Sequence, residues 1–247
     1  MTTSFDDIGY EDFRRMAGDA SLSVQEKIGF PDAYRAGYED AIFKDITDKL
    51  TNLHSAAQTV LDIGPGCAGL PRLLIDHCAA RGDSLVLVDS PEMLAHLPDA
   101  SGVSKIAGFY PNCDEALAPW LGKFDAILCY SVFHYIFVEA SFWKFLDHSL
   151  QLLAPGGQML IGDIPNVSKR KRFFASETGI RFHQAFMNTT DEPKVDFRAV
   201  ERNKIDDAVI LGVIMRARAQ GCDAYWLPQS PSLPMANRRE DILIVKP

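Results

Sequence analysis

Apolar positions follow two alternating patterns from Thr59 onward. Short continuous apolar runs predict five strands, at residues 59–63, 85–88, 103–107, 124–130 and 158–163. Between them apolar residues recur at helical spacing, as in 70–78, where Gly82 ends the helix, and in 142–153, where Pro155-Gly156-Gly157 ends it. Apolar strands that alternate with helices are typical of a parallel sheet covered on both faces, and right-handed crossovers make that sheet doubly wound.

The C-terminal part of the chain departs from this alternation. A helix pattern runs from Asp206 to about Gln220, and two strand-like runs follow at 223–227 and 242–246 with three prolines between them. Because no helix separates these runs, they suit a hairpin, and one of the two strands should be antiparallel to the rest. We therefore predict an α/β fold: a doubly wound, seven-stranded, mostly parallel sheet with an antiparallel C-terminal strand and N-terminal helices.

Two segments lie outside the predicted sheet. Pro31 can start a helix, after which Tyr34, Tyr38, Ile42, Ile46 and Leu50 lie four apart on one stripe. This stripe indicates either core packing or a helical lid. We expect residues 1–56 to form an N-terminal helical lid or appendage, and 57–247 to form the sheet domain with an insertion at 164–203.

Composition narrows the class of protein. The formal net charge of −8 argues against nucleic acid as the main partner. Five cysteines, an odd number without a C-x-x-C pair, suggest reduced and buried thiols. The opening residues carry several acids, unlike a targeting leader, and the longest apolar run, 208–215, is shorter than the roughly 20 residues that span a bilayer. We expect a soluble, cytoplasmic protein without a membrane partner.

A glycine loop follows the first predicted strand. Gly64, Gly66 and Gly69 satisfy G-x-G-x-x-G before a helix, and Asp89 closes the next strand 20 residues after Gly69. The same pattern binds the pyrophosphate of NAD, so the glycines leave the ligand open. Asp62 precedes the first glycine by two residues. A carboxylate there suits a cationic ligand better than a pyrophosphate, which needs backbone N–H groups.

Four segments resemble motifs of class I S-adenosylmethionine-dependent methyltransferases. They read V-L-D-I-G-P-G-C-A-G at 60–69, L-V-L-V-D-S-P-E-M-L at 85–94, F-D-A-I-L-C-Y-S-V-F-H-Y-I at 124–136 and L-L-A-P-G-G-Q-M-L-I at 152–161. Their order and spacing carry the resemblance. Two positions depart from the pattern: Ala68 replaces the third glycine of the tight loop, and the segment after strand three has no acid before Asp114. Residues 228–247 also resemble, without a defined motif, bacterial methyltransferases that modify sugars of surface polysaccharides.

The resemblance implies a Rossmann-like methyltransferase domain with S-adenosylmethionine as cofactor. The expected cofactor-binding residues lie after strands one to four: Asp62, Gly64, Pro65, Gly66, Asp89, Ser90, Met93, Phe109, Tyr110, Tyr130 and Ser131. The acid at the end of strand two would bind the ribose hydroxyls, and Phe109, Tyr110 or Asn112 would contact the adenine.

Candidate catalytic residues lie at the ends of strands four and five. His134 is suited to proton abstraction near neutral pH, or to orienting its loop. Asp163 could face the acceptor or orient His134, or it could act as a cap or ion-pair partner. Together with His183 these residues lack the tight spacing of metal ligands, so we predict no metal site.

The acceptor side would include Tyr135 and the polar insertion at 164–203. Lys169-Arg170-Lys171-Arg172 is either a solvated charge run or, with His183 and with help from Arg181, Arg238 and Arg239, a site for an acceptor phosphate. We expect methyl transfer to a small molecule, such as a sugar or nucleotide-sugar hydroxyl. The alternatives are an NAD(P)-dependent oxidoreductase and a non-catalytic binding module.

Overall fold

A seven-stranded sheet organises the chain. The computed structural model describes residues 8–247, so expectations for residues 1–7 lie outside the described residues. The strands are β1 Thr59–Ile63, β2 Ser84–Asp89, β3 Val103–Ala107, β4 Phe124–Tyr130, β5 Leu153–Pro165, β6 Asp223–Pro228 and β7 Arg239–Val245. They lie in the order β3-β2-β1-β4-β5-β7-β6.

Strand direction confirms the predicted fold. Strands β1 to β5 pair in parallel, whereas β7 is antiparallel to both of its neighbours, β5 and β6. The reversed strand is therefore β7, and β6 and β7 form the predicted hairpin. Strand β5 is longer than predicted at both ends: Leu153 already pairs with Phe124 of β4, and the pairing to β7 continues past a register shift between Ile161 and Ile164 as far as Pro165.

Twelve α-helices cover the sheet within the described residues. They are α1 Tyr10–Gly18, α2 Val24–Lys27, α3 Asp32–Arg35, α4 Glu39–Lys49, α5 Gly69–Arg81, α6 Pro91–Leu94, α7 Asp114–Leu117, α8 Phe133–Glu139, α9 Phe142–Leu152, α10 Val167–Phe174, α11 Glu177–Met187 and α12 Asp207–Ala219. Short 3-10 turns lie at Thr51–His54, Ala118–Trp120 and Ala236–Arg238.

Two apolar clusters pack different helices against the sheet. One cluster includes Phe145 of α9 and Ile210 of α12, and the other includes Ile46 of α4 and Leu74 of α5. Both clusters take residues from the central strands, so the sheet is buried on both faces. This explains why the strands read as continuous apolar runs instead of alternating ones.

Local signals set several helix ends where the sequence predicts them. Gly82 ends α5 with a left-handed backbone, φ +70°. Asp206 caps α12, its side chain accepting a hydrogen bond from the N–H of Val209 at 3.0 Å. Glycine can end a helix in this way because it adopts positive φ without strain, and aspartate can begin one because its side chain accepts a hydrogen bond from a free N–H of the first turn.

The helix predicted from Pro31 to Leu50 is wrong in one respect: it is broken. Helix α3 ends at Arg35 and α4 begins at Glu39, with Gly37 between them at φ +82°. Only the later half of the stripe reaches the core, where Ile42, Ile46 and Leu50 are at most 1% exposed. The break directs α3 toward the carboxyl ends of the strands. The domain division at residue 56 stays a prediction.

The strand order reverses between β1 and β4, and the loops that follow these strands diverge there. In doubly wound sheets this is where ligands bind. Among residues 8–247 no helix is long and apolar enough to cross a bilayer.

Candidate functional site

A cavity opens at the carboxyl ends of β1, β2 and β4. We call it the loop cavity; its lining combines apolar side chains with a few polar groups, as is typical of sites for small-molecule ligands. Nine of the predicted cofactor-binding residues line it: Gly64, Pro65, Gly66, Asp89, Met93, Phe109, Tyr110, Tyr130 and Ser131. The remaining two, Asp62 and Ser90, do not.

The glycine loop requires its first two glycines. Gly64 and Gly66 have φ values of +69° and +68°, where side chains are strained. A Cβ on Gly66 would also lie 2.8 Å from Cγ2 of Ile28. The N–H of Gly66 donates to Oδ2 of Asp89 at 2.9 Å, so the end of β2 fixes the loop.

The substitution of the third glycine has a simple explanation. Ala68 has φ −80° and ψ −159°, an extended backbone that any residue can adopt, and it caps α5. Gly69 begins α5 without a positive φ, and a Cβ there would lie 3.0 Å from Cγ of Glu39. Gly69 is thus selected by close packing rather than by backbone conformation.

Asp62 lies beneath the loop as a carboxyl group without a donor. It is 4% exposed, and no hydrogen bond or ion pair to its side chain is formed by the described residues. Burial, and then the charge of Asp89, raises the pKa of Asp62 to about 8. A buried carboxylate normally has a partner, so this site suits a cation that the protein itself does not supply.

Asp89 is better satisfied than Asp62. Burial raises the pKa of Asp89 to about 6, although N–H groups of Gly66 and Ser90 donate to it and oppose that shift. Ser90 itself caps α6, its hydroxyl accepting from the N–H of Met93 at 3.2 Å. Tyr110 presents its ring to the cavity, while its hydroxyl lies 2.8 Å from that of Ser149 in the core.

Helix α1 lines the loop cavity through Tyr10 and Phe13; a lid or appendage was expected within residues 1–56, but no local motif pointed to this helix. The Tyr10 ring lies 4.8 Å from Phe109, and the Phe13 ring lies 4.8 Å from Tyr135. The Tyr10 N–H donates to Oε2 of Glu139 at 2.9 Å, which attaches the start of α1 to the end of α8. The N-terminal segment therefore supplies an aromatic wall to this cavity.

A buried ionic cluster lies where β4 and β5 end. Asp163, 1% exposed, accepts from Ser131 Oγ at 2.5 Å, Arg239 Nη1 at 3.1 Å and Arg35 Nη1 at 3.4 Å. Burial opposes ionisation of Asp163, but Arg239 and then Arg35 outweigh it, so its pKa lies below the usual value. Arg35, from α3, also lies 4.5 Å above the Phe30 ring.

Two residues of this cluster have strained backbones. Ser131 and Asp163 have φ values of +63° and +58°, and such positions cost about 1–3 kcal/mol unless surrounding contacts fix them. They end adjacent parallel strands beside the loop cavity. The contacts of Asp163 favour the ion-pair hypothesis over proton transfer, and its catalytic role stays a prediction.

His134 lies on α8 away from the glycine loop. Burial, then Arg239 and Lys204, lowers its pKa to about 3, so the imidazole is neutral near pH 7. Its Nδ1 is buried without a hydrogen-bond partner among the described residues. No hydrogen bond joins it to Asp163 within that part of the chain. A neutral imidazole can accept a proton, but this setting disfavours the charged product.

A second, more open cavity meets the loop cavity at Phe30, Tyr135 and Glu139. We call it the outer cavity; His134 and Tyr135 line it together with residues of α10, the segment 202–205 and the segment 235–239. Of the predicted acceptor-binding residues, Tyr135 and Arg170 lie here. Lys169, Arg172 and His183 do not.

The basic run 169–172 is paired within the protein. Lys169 donates to Glu240 at 3.2 Å, Arg170 to both oxygens of Glu201 at 2.6 Å, and Arg172 to Asp207 at 2.5 Å, while Lys171 lies 3.5 Å from Glu201. These pairs attach α10 to the chain that follows it. They favour a structural role for the run, and its role toward a phosphate stays a prediction. His183 lies in a separate surface pocket.

No group of three or more His, Cys, Asp or Glu side chains within 8–247 could hold a metal ion.

Several other residues of the site were not predicted from the sequence. No local motif marks Tyr10, Arg35, Glu139 or Gln229, whose amide donates to Oδ1 of Asp163 at 3.3 Å. Arg35 is 128 residues from its partner Asp163 in the sequence.

Solved structures with this fold are numerous, whereas no protein-family model and no curated protein matches the sequence. The N-methyltransferase NodS from Bradyrhizobium japonicum, in complex with S-adenosyl-L-homocysteine, is 14% identical over 98% of this chain and 100% of its own, with a TM-score of 0.59. A SAM-dependent methyltransferase from Aquifex aeolicus is 13% identical over 89% and 95%, with a TM-score of 0.53.

The CurJ carbon methyltransferase is 15% identical over 93% of this chain, with a TM-score of 0.57, and the chain spans 58% of its length. At these identities the likeness concerns the fold. The chain thus has the fold of S-adenosylmethionine-dependent methyltransferases, as the sequence resemblance implied. One of these enzymes methylates carbon and another nitrogen, so the fold does not fix the acceptor atom.

Proposed function

We propose that the protein transfers a methyl group from S-adenosylmethionine to a small-molecule acceptor. The observation that carries this proposal is Asp62, a buried carboxyl group beneath the glycine loop with no donor among residues 8–247. S-adenosylmethionine has an ammonium group and no phosphate, so it supplies the missing cation. The pyrophosphate of NAD would instead add negative charge near Asp62 and Asp89, which disfavours the oxidoreductase alternative.

The residues of the loop cavity fit the parts of this cofactor. Gly64 and Gly66 keep the loop in its path beside the cavity, since both have positive φ and a Cβ on either would clash with Val132 or Ile28. Asp89 offers a carboxylate to ribose hydroxyls, and the Tyr10 and Phe109 rings offer apolar faces to a base. When bound, the cofactor supplies an electrophilic methyl group for in-line displacement.

The protein's own contribution is alignment and exclusion of water. Helix α1 closes one side of the loop cavity, and Phe30, Tyr135 and Glu139 form the boundary with the outer cavity. Holding two reactants in line across such a boundary removes much of the entropic cost of their encounter. His134, at the outer cavity, is the candidate to accept a proton from an acceptor hydroxyl.

The acceptor is proposed to be a sugar or nucleotide-sugar, as the polar lining of the outer cavity suits a molecule with several hydroxyl groups. Asn203 lines it with Tyr34 and Tyr135, whereas the amide of Asn166 already caps α10 and donates to Asp207. Rings and amides of this kind bind a sugar by stacking and hydrogen bonds. Modification of surface polysaccharides, a phosphate on the acceptor, the absence of nucleic acid as a partner and the cytoplasmic location stay predictions.

Calorimetry with S-adenosyl-L-homocysteine and with NAD tests the cofactor. We expect saturable binding of the first ligand and none of the second; the reverse result would refute the proposal. Labelled S-adenosylmethionine with a panel of sugars and nucleotide-sugars then tests turnover. If His134→Ala and Asp163→Ala leave a confirmed activity unchanged, neither residue is catalytic. Binding without turnover of any acceptor would favour the non-catalytic module.

A further inference from the structure

The outer cavity carries an excess of positive charge. Among residues 8–247, five cationic residues line it, Arg170, Arg202, Lys204, Arg238 and Arg239, against the single carboxylate of Glu139. That carboxylate already accepts two hydrogen bonds from the Tyr10 N–H, at 2.9 and 3.2 Å. The imbalance is local, because the whole chain has a net charge of −8.

Two of these cations have no acidic partner among the residues that the structure describes. Arg170 is neutralised by Glu201, and Arg239 by Asp163. Arg238 instead lies 6.0 Å from the Phe182 ring, and no carboxylate lies within ion-pair distance of it or of Arg202 across residues 8–247.

Arg238 is the more informative of the two. Both line the cavity, but Arg238 is half-buried whereas Arg202 is exposed. Burial, and then the charge of Arg239, lowers the pKa of Arg238 below the usual value, so the folded protein disfavours its charge. A guanidinium in that position is costly unless a ligand neutralises it, and its planar fork matches two oxygens of an oxyanion.

We propose that the outer cavity binds an acceptor through an oxyanion, a phosphate or a carboxylate, which Arg238 holds with Arg202 beside it. The proposal rests on the methyl-transfer function above and adds the charge class of its acceptor. It moves the anion site from the paired run 169–172 to the unpaired arginine of segment 235–239.

The position of this site suits a specificity role. The outer cavity meets the loop cavity at Phe30, Tyr135 and Glu139, so an acceptor anchored at Arg238 can extend toward the methyl donor. Arg239 and Lys204 are the two cations that lower the pKa of His134. Burial is the larger cause of that lowered pKa, so a bound oxyanion offsets only the part that the two cations contribute.

The test is an NMR titration of the full chain with inorganic phosphate and, separately, with acetate, at low ionic strength and saturating S-adenosyl-L-homocysteine. The arginine Nε–Hε resonances report binding, and the two anions distinguish a phosphate from a carboxylate. Arg238→Gln should weaken the binding of the preferred anion about 10-fold or more. Arg181→Gln removes the same charge on α11, where Arg181 is exposed and lies 3.8 Å from Glu177, and should leave it unchanged.

Equal anion binding in Arg238→Gln and Arg181→Gln would overturn the proposal. It would also be overturned if neither anion shifted the Arg238 resonance more than that of Arg181 in the unsubstituted protein, a comparison that needs no variant to fold. Arg202→Gln, at an exposed residue, gives a second variant with an expected smaller loss. Binding of S-adenosyl-L-homocysteine is measured separately, so failure of the methyl-donor site and failure of the anion site give different results.

Discussion

Binding of S-adenosyl-L-homocysteine should release a proton from Asp62. The pKa of Asp62 is about 8, because the carboxyl group is buried and lies near Asp89. At pH 7 it is therefore about nine-tenths protonated. The ammonium of the ligand favours the carboxylate, so binding and deprotonation are coupled.

The expected magnitude follows from the charges. An ammonium about 4 Å from a carboxylate at an effective dielectric constant near 20 contributes roughly 4 kcal/mol, which lowers the pKa by about three units. Deprotonation then goes nearly to completion at pH 7, with release of about 0.9 proton. Asp89, with a pKa of about 6, is already mostly ionised and adds at most about 0.1 proton.

The assay is calorimetry at pH 7 in two buffers whose ionisation enthalpies differ, such as PIPES and Tris. The slope of observed enthalpy against buffer enthalpy gives the number of protons released. Asp62→Asn should reduce the slope nearly to zero. It should also weaken binding by about 2–3 kcal/mol, the ion-pair energy less the roughly 1.4 kcal/mol that ionising Asp62 costs at pH 7.

Stability offers an independent measurement on the protein without ligand. The folded state retains a proton on Asp62 that the unfolded state loses above its ordinary pKa. The free energy of unfolding should consequently fall between about pH 4 and pH 8 and level off above, and Asp62→Asn should flatten this part of the curve. Tight ligand binding with no buffer dependence, or an unchanged pH profile in the variant, would refute the assignment of Asp62.

Three further predictions concern the loop, the cover and the core. Gly66→Ala should weaken binding of S-adenosyl-L-homocysteine at least 10-fold, since its φ is +68° and its Cβ would clash with Ile28. The control Gly82→Ala, at φ +70° with nothing within 4 Å, should reduce stability and leave binding unchanged. Calorimetric titration of the two variants compares their affinities for the ligand. Tyr10→Ala should raise the dissociation rate of the ligand in stopped-flow measurements, because it removes a ring from the cavity wall; an unchanged rate would exclude α1 as a cover. Phe145→Ala, at a fully buried position, should cost about 3–5 kcal/mol in urea unfolding, and a loss below about 1 kcal/mol would contradict the core assignment.

The fold was accessible from sequence because its determinants are local. The apolar run of β1 and the helix stop at Gly82 depend on neighbouring residues alone, and the hairpin of β6 and β7 follows from the missing helix between them. The glycine loop is local as well: nearly all the residues expected around it line one cavity. The break at Gly37 was missed because the apolar stripe continues through it in sequence.

The acceptor side depended on partners that the sequence does not reveal. The run at 169–172 reads as a charge cluster, yet Glu201, Asp207 and Glu240 neutralise it from distant parts of the chain. Arg238 was less conspicuous in the sequence, and no carboxylate of residues 8–247 forms an ion pair with it. The residue type shows that a side chain is charged, but the free-energy cost of that charge in the folded protein depends on its burial and on the opposite charge beside it.

The difference between local patterns and long-range contacts also applies to the glycine loop that follows Asp62. Local sequence patterns were enough to predict the parallel sheet, the reversed last strand and the glycine loop, because backbone geometry and apolar periodicity act over a few residues. The folded structure was needed to show that Asp62 has no donor among residues 8–247, that Asp163 is neutralised by Arg35 and Arg239, and that burial keeps His134 neutral. Desolvation and ion pairing are set by groups that meet after folding, so no local pattern contains them.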